Sequence, residues 1–123
     1  MTKDRRQGTG DRGQKKITEA LRIALTNYKF QKLDVYQLSL NYIKAIYSLS
    51  NKLPGREKFN LSSQIERAVT SIALNIAEGS TGQSNLEQKH FLGLALRSYL
   101  ETIACLDLIE NLGYLAESET TEL

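Results

Sequence analysis

Apolar positions along this chain recur at steps of three and four over three long stretches. In "DVYQLSLNYIKAIYSLSNKLP", Val35, Leu38, Tyr42, Ile46, Leu49 and Leu53 keep that rhythm, which places them on one helix face. Tyr36, Leu40, Ile43 and Tyr47 widen the stripe beyond what one neighbouring helix covers. Asp34 suits the first turn, and Pro54 with Gly55 ends the run, because proline disfavours a helical backbone at the preceding Leu53. A second helix is predicted over about 62–78, with Ile65, Ala68, Val69, Ile72 and Ile76 as its apolar face and Gly79 as the left-handed residue after its end. Ser84 and Glu87 form a capping box for a third helix over about 85–112. Phe91, Ala95, Ser98, Thr102, Cys105 and Ile109 make its main line, flanked by Leu92, Leu96, Tyr99, Ile103 and Leu106, and Gly113 ends it. At 1.5 Å per residue this helix is about 40 Å long. The short "GSTGQ" link makes the second and third helices antiparallel.

Upstream, Ile17, Leu21, Ala24, Leu25 and Tyr28 share a face, predicting a short amphipathic helix over residues 16–27 that is marginal unless it docks. Residues 1–15 are polar, basic and Gly-rich and are expected to be disordered; 28–115 form the bundle domain and 116–123 an acidic tail. A length of 123 residues suits one domain, and 41% apolar with 24% charged residues suits a soluble one. One proline and no tryptophan, with Leu, Ile and Ala abundant, favour an all-α fold.

The net charge of +2 hides a gradient. Residues 1–32 hold nine Lys or Arg against three acids: Lys3, Arg5, Arg6, Arg12, Lys15, Lys16, Arg22, Lys29 and Lys32 are the cations. These nine are the candidate contacts for RNA or DNA, since such cations release counterions from phosphates. The rest of the bundle is near neutral. A single cysteine forms no internal disulfide, and no apolar run approaches the roughly 18 residues of a membrane span, so a cytoplasmic protein without a membrane partner is expected.

Little in the sequence points to catalysis. His90 is the only histidine and Cys105 the only cysteine, which excludes His-pair and thiolate metal cages, and no serine lies in a nucleophile elbow. "GSTGQS" lacks the lysine of a phosphate loop and follows a helix instead of a strand. No catalytic residue, metal or cofactor is expected. The tyrosines at helical spacing read as core or interface residues. One feature stands apart: Gln64, Arg67, Ser71, Asn75 and Glu78 fall at steps of three, four, four and three and keep one polar face through "SIALNIAEGS". That face is either solvated or a paired contact, with Arg67 meeting Glu78 or Glu101.

The combination of "KLDVYQ", "LP" followed by an acid, "FNLSSQIERA", "SIALNIAEGS" and "FLGLALRSYLE" resembles the four-helix-bundle family of proteins encoded in 23S ribosomal RNA intervening sequences, over about Tyr28 to Leu115. The resemblance implies an up-down antiparallel bundle in a homo-oligomeric ring, a pentamer, with no established reaction. A related branch comprises accessory proteins of diversity-generating retroelements that bind nucleic acid. By the same resemblance the family's polar signature falls here on Gln64, Arg67, Ser71, Asn75, Glu78 and Gly79, with Ser98 and Glu101 on the next helix, and favours a contact over a wet face. The resemblance implies a fourth helix past "LGYL", which is expected to be truncated in this chain, and about 27 residues precede the family's usual start. Apolar surface on the first and third helices is therefore expected to lack its cover, with the 16–27 segment or subunit association replacing it.

The function expected from these readings is a non-enzymatic, homo-oligomeric binding or scaffold protein associated with RNA or DNA. Two alternatives stand beside it: a protein-partner module without nucleic-acid binding, and an enzyme using Arg67 with Glu78 or Glu101.

Overall fold

A computed structural model describes residues 12–18, 29–81, 84–116 and 119 of the chain. Among the described residues the ordered elements are all helical. Residues 12–18 form an exposed helical segment, and a 3-10 turn, Lys29–Lys32, leads into α1 (Asp34–Ser50). A second 3-10 turn, Gly55–Glu57, precedes α2 (Leu61–Gly79), and α3 spans Asn85–Asn111. The three main helices match the predicted ranges to within about three residues. Most of the predicted 16–27 helix lies outside the described residues.

The layout centres on α2, which packs along both α1 and α3, while the backbones of α1 and α3 do not meet. Contact order reverses from one helix to the next: Ser50 reaches Glu66, whereas Ser39 and Tyr42 lie beside Ile72 and Ile76. Likewise Gly79 abuts Phe91, whereas Arg67 and Ser71 lie beside Glu101. The core is built from Ile46, Leu49 and Leu53, then Leu61, Ile65, Val69, Ile72 and Ile76, then Ala95, Cys105, Leu106 and Ile109. Burial of each large aliphatic chain here is worth about 1.5–3 kcal/mol.

Gly79 corrects the sequence expectation. It has no positive φ and belongs to α2, not to a left-handed cap. Its role is the absence of a side chain: a Cβ there would stand 2.9 Å from Phe91 Cβ and 3.3 Å from the Gln88 carbonyl oxygen. Phe91 Cβ is fixed to its backbone, so it cannot swing away. The left-handed glycine is Gly113, with φ 76°. There the Gly113 N–H donates to Glu110 O at 2.9 Å and the Tyr114 N–H to Ile109 O at 3.2 Å, the paired bonds that close a helix C-terminus. Ser84 caps α3 as expected, its Oγ accepting from the Glu87 N–H at 3.3 Å.

The α1 stripe is covered only in its second half. Ile46, Leu49 and Leu53 are buried, but Val35 and Leu38 are exposed, and among the described residues no helix lies over them. On α3, Ala95, Thr102, Cys105 and Ile109 of the main line are buried, Phe91 and Ser98 are half-buried, and Leu92, Leu96 and Tyr99 face outward. Between these faces runs an apolar groove of 280 Å³, floored by Ser39, Ile72, Ile76 and Ala95. Among the described residues the first and third helices thus carry exposed apolar surface, and most of the 16–27 segment expected to cover it lies outside them. Tyr42 spans the gap from α1 to α3: its hydroxyl lies 2.8 Å from Thr102 Oγ1, and its ring is 5.7 Å from that of Tyr99. Thr102 gives its hydrogen to Tyr99 O, so Tyr42 donates to Thr102; burial pushes the Tyr42 phenol up from its ordinary pKa.

Gly79→Ala is expected to lower the stability of the chain by about 1–3 kcal/mol by forcing α2 from α3. Gly93→Ala meets nothing within 4 Å and should gain up to about 1 kcal/mol of helix propensity. Thermal melts of both variants check this, and equal effects would contradict the close approach at Gly79.

Candidate functional site

Closure of α3 by Gly113 aims Tyr114 at the turn between α1 and α2. The Tyr114 hydroxyl donates to Glu57 Oε2 at 2.7 Å and accepts from Arg56 Nε at 3.1 Å, with the Arg56 guanidinium 5.5 Å from the ring centroid. Asn60 Nδ2 donates to Glu57 Oε1 at 3.1 Å, and Gln64 Nε2 donates to Asn60 Oδ1 at 2.8 Å. Glu57 also accepts from the Leu61 N–H, at the start of α2, where the helix dipole favours negative charge. These bonds, the Tyr114 hydroxyl first and Asn60 next, hold the Glu57 carboxyl below the usual carboxylate range. Glu57 is the acid that follows "LP" in the sequence, and Tyr114 belongs to "LGYL". Sequence reasoning noted both motifs without seeing that they meet.

Gln64 joins this lock to the polar stripe. Beyond it, Gln64, Arg67, Ala68 and Ser71 of α2, Glu101 of α3 and Phe59 of the preceding turn line one cleft of 480 Å³. Its size falls within the usual range for small-molecule sites, about 300–1,000 Å³. The stripe divides at this point. Gln64, Arg67, Ser71 and Glu101 come together, while Asn75, Glu78, Gly79 and Ser98 do not line the cleft. Asn75 Nδ2 bonds Ser71 O one turn back at 2.8 Å, Glu78 is exposed, Ser98 is half-buried, and Gly79 serves the α2–α3 contact.

The expected pairing of Arg67 with Glu78 or Glu101 does not form. Arg67 is exposed and donates from Nη2 to Ser63 Oγ at 3.1 Å, one turn earlier on its own helix. Among the described residues the one ion pair is Lys52–Glu119 at 3.2 Å, on the surface. Arg67 and Glu101 thus share a cleft while leaving each other's charge uncompensated. Water meets the exposed groups at little cost, so no interhelical pairing is required.

Of the basic candidates, Arg12, Lys15 and Lys16 are exposed on the 12–18 helical segment, at spacings of three and four that place them on one side. Lys29 and Lys32 lie in the first 3-10 turn, and Lys3, Arg5, Arg6 and Arg22 lie outside the described residues. Cys105 is buried, which raises its thiol above the ordinary range, and His90 is exposed with its ring 5.4 Å from that of Phe91. Among the described residues no group of three or more His, Cys, Asp or Glu is placed to hold a metal ion, and no helix is long and apolar enough to cross a membrane.

An all-helical protein centred on α2, with its "LP…E" and "LGYL" motifs locked together, is thereby defined. It belongs to the family of 23S rRNA-intervening sequence proteins, whose pattern matches residues 31–123. The match begins in the first 3-10 turn and runs through the acidic segment after Leu115. No curated protein matches the chain.

Two outcomes follow. Because the depressed Glu57 carboxyl stabilises the fold above the ordinary carboxylate pKa, that contribution is lost as pH falls through its lowered folded value. Tyr114→Phe should lower the melting temperature near neutrality and flatten its fall between about pH 7 and about pH 3; identical acid profiles would remove Glu57 from the account. Arg67→Ala should shift stability by no more than about 0.5 kcal/mol, since the side chain is exposed and bonded only along its own helix. A large drop in melting temperature would restore a buried pairing.

Proposed function

We propose that this chain is a non-enzymatic, cytoplasmic binding and scaffold protein that assembles with copies of itself and associates with RNA or DNA. The observation that carries the assembly is the groove between α1 and α3, where Val35, Leu38, Leu92, Leu96 and Tyr99 present a continuous apolar face. Such a face favours association, because removing it from water gains about 25 cal/mol per Å². The reversed contact order of α1, α2 and α3 supports an up-down antiparallel bundle, and family membership supports a closed ring, with the pentamer as its number. The nucleic-acid part rests on the exposed row of Arg12, Lys15 and Lys16 and on the basic excess of residues 1–32. A reading as an enzyme gains little from Arg67 and Glu101, since the residues lining the cleft include no histidine or cysteine and Ser71 has no histidine there to activate it.

Size-exclusion chromatography with light scattering, run with and without mixed RNA over a salt series, tests this. The expected mass is a small multiple of 13.8 kDa, falling towards the monomer in Leu38→Gln/Leu96→Gln, and RNA should co-elute at low salt and dissociate at high salt. A monomer indifferent to RNA at every salt concentration contradicts the proposal.

A further inference from the structure

Phe59 is the most exposed large apolar side chain among the described residues, at 89%, yet it is not on a loose loop. Its turn is bound from both sides. The Lys58 N–H donates to Gly55 O, the Asn60 N–H to Glu57 O, and the Asn60 side chain bridges Glu57 and Gln64. A rigid turn thus holds an uncovered ring at the edge of the cleft, with the Lys58 ammonium 5.5 Å from its centroid.

The rest of the cleft supplies polar groups with capacity to spare. Among the described residues, Arg67 uses one donor on Ser63 and keeps the others, Gln64 spends its amide N–H on Asn60 and keeps its carbonyl, and Glu101 has no cation paired to it. A flat ring with two cations and a few edge-bonding groups matches the demands of one unstacked nucleotide. The base stacks on the aromatic face, its exocyclic amine donates to a carboxylate or amide, and the adjoining phosphate meets guanidinium and ammonium. Protein segments have a different place to go: the apolar groove involves Leu92, Leu96 and Tyr99, on another side of α3 from Glu101.

Resting on the nucleic-acid reading above, we infer that the Phe59 cleft is a base-binding subsite for single-stranded nucleic acid. Phe59 is its stacking platform, Arg67 and Lys58 hold the phosphate, and Gln64 and Glu101 face the base edge. The N-terminal cations add affinity without reading a base.

Fluorescence anisotropy of a labelled 12-nucleotide single-stranded RNA of mixed sequence, titrated with the full chain at several salt concentrations, tests the assignment. Phe59→Ala should weaken binding about 5- to 150-fold, the worth of one base stack. Phe59→Leu should lose as much, while Phe59→Tyr should stay within about twofold of the parent. Arg67→Gln should reduce the salt slope by about 0.7, the value for one single-strand phosphate. Light scattering and melting of each variant should match the parent, because these side chains are exposed. Parent-like binding by Phe59→Ala or Phe59→Leu, or a change of oligomer mass in Phe59→Ala, overturns the subsite. If the parent chain itself fails to bind RNA at low salt, the nucleic-acid reading falls as well.

Discussion

The approach of α2 to α3 at Gly79 governs the arrangement of the other parts. With no side chain at that position, the C-terminal end of α2 lies directly against Phe91 and the Gln88 carbonyl. From there the two helices stay in register, bringing Ile65 to Ile76 against Ala95, Cys105, Leu106 and Ile109. Since α1 takes another side of α2, the central helix has spent its apolar face on two neighbours. What remains between α1 and α3 is a gap bridged by side chains, chiefly Tyr42, and not closed by backbone contact.

Both faces proposed for binding follow from that layout. On one side the splayed helices leave an apolar groove; on the other, the flank of the α2–α3 pair carries the polar residues that had no place in the core. The base of the pair is held by hydrogen bonds. Glu57 gathers donors from Tyr114, Asn60 and the start of α2, so the end of α3 is tied to the beginning of α2. Among the described residues no buried side-chain nitrogen or oxygen lacks a partner, as a well-determined polar lock requires. The same lock fixes the turn that carries Phe59, which links the integrity of the fold to the geometry of the cleft.

Periodicity made the three main helices legible, because Ile46, Leu49, Ile65, Val69, Ile72 and Ile109 follow a helical rhythm and burial enforces it. It also exposed the missing cover, since the α1 stripe was broader than one neighbour explains. Gly79 was misread because a glycine at a helix end has two physical uses, a left-handed backbone or a close approach, and a single sequence does not distinguish them. The polar stripe was legible as a face but not as a site. Spacing put Arg67 and Glu78 on one side of a helix, whereas only the packing of α3 brought Glu101 to Arg67 and left Asn75, Glu78 and Ser98 outside the cleft. Phe59 and Tyr114 were missed for the same reason: Tyr114 meets Arg56 and Glu57 from the far end of α3, and Phe59 shares its cleft with Glu101 of that helix, contacts that no local pattern records.

The central claim is a fold organised on α2 whose α1–α3 groove is completed by other copies of the chain. Amide hydrogen exchange, followed residue by residue at rising protein concentration, tests it directly. The account predicts that Ile65 to Ile76 exchange only with global unfolding at every concentration, while residues 35–42 and 92–99 gain protection as concentration rises. Protection of those two segments equal to that of α2, and unchanged on dilution to the monomer, would contradict it.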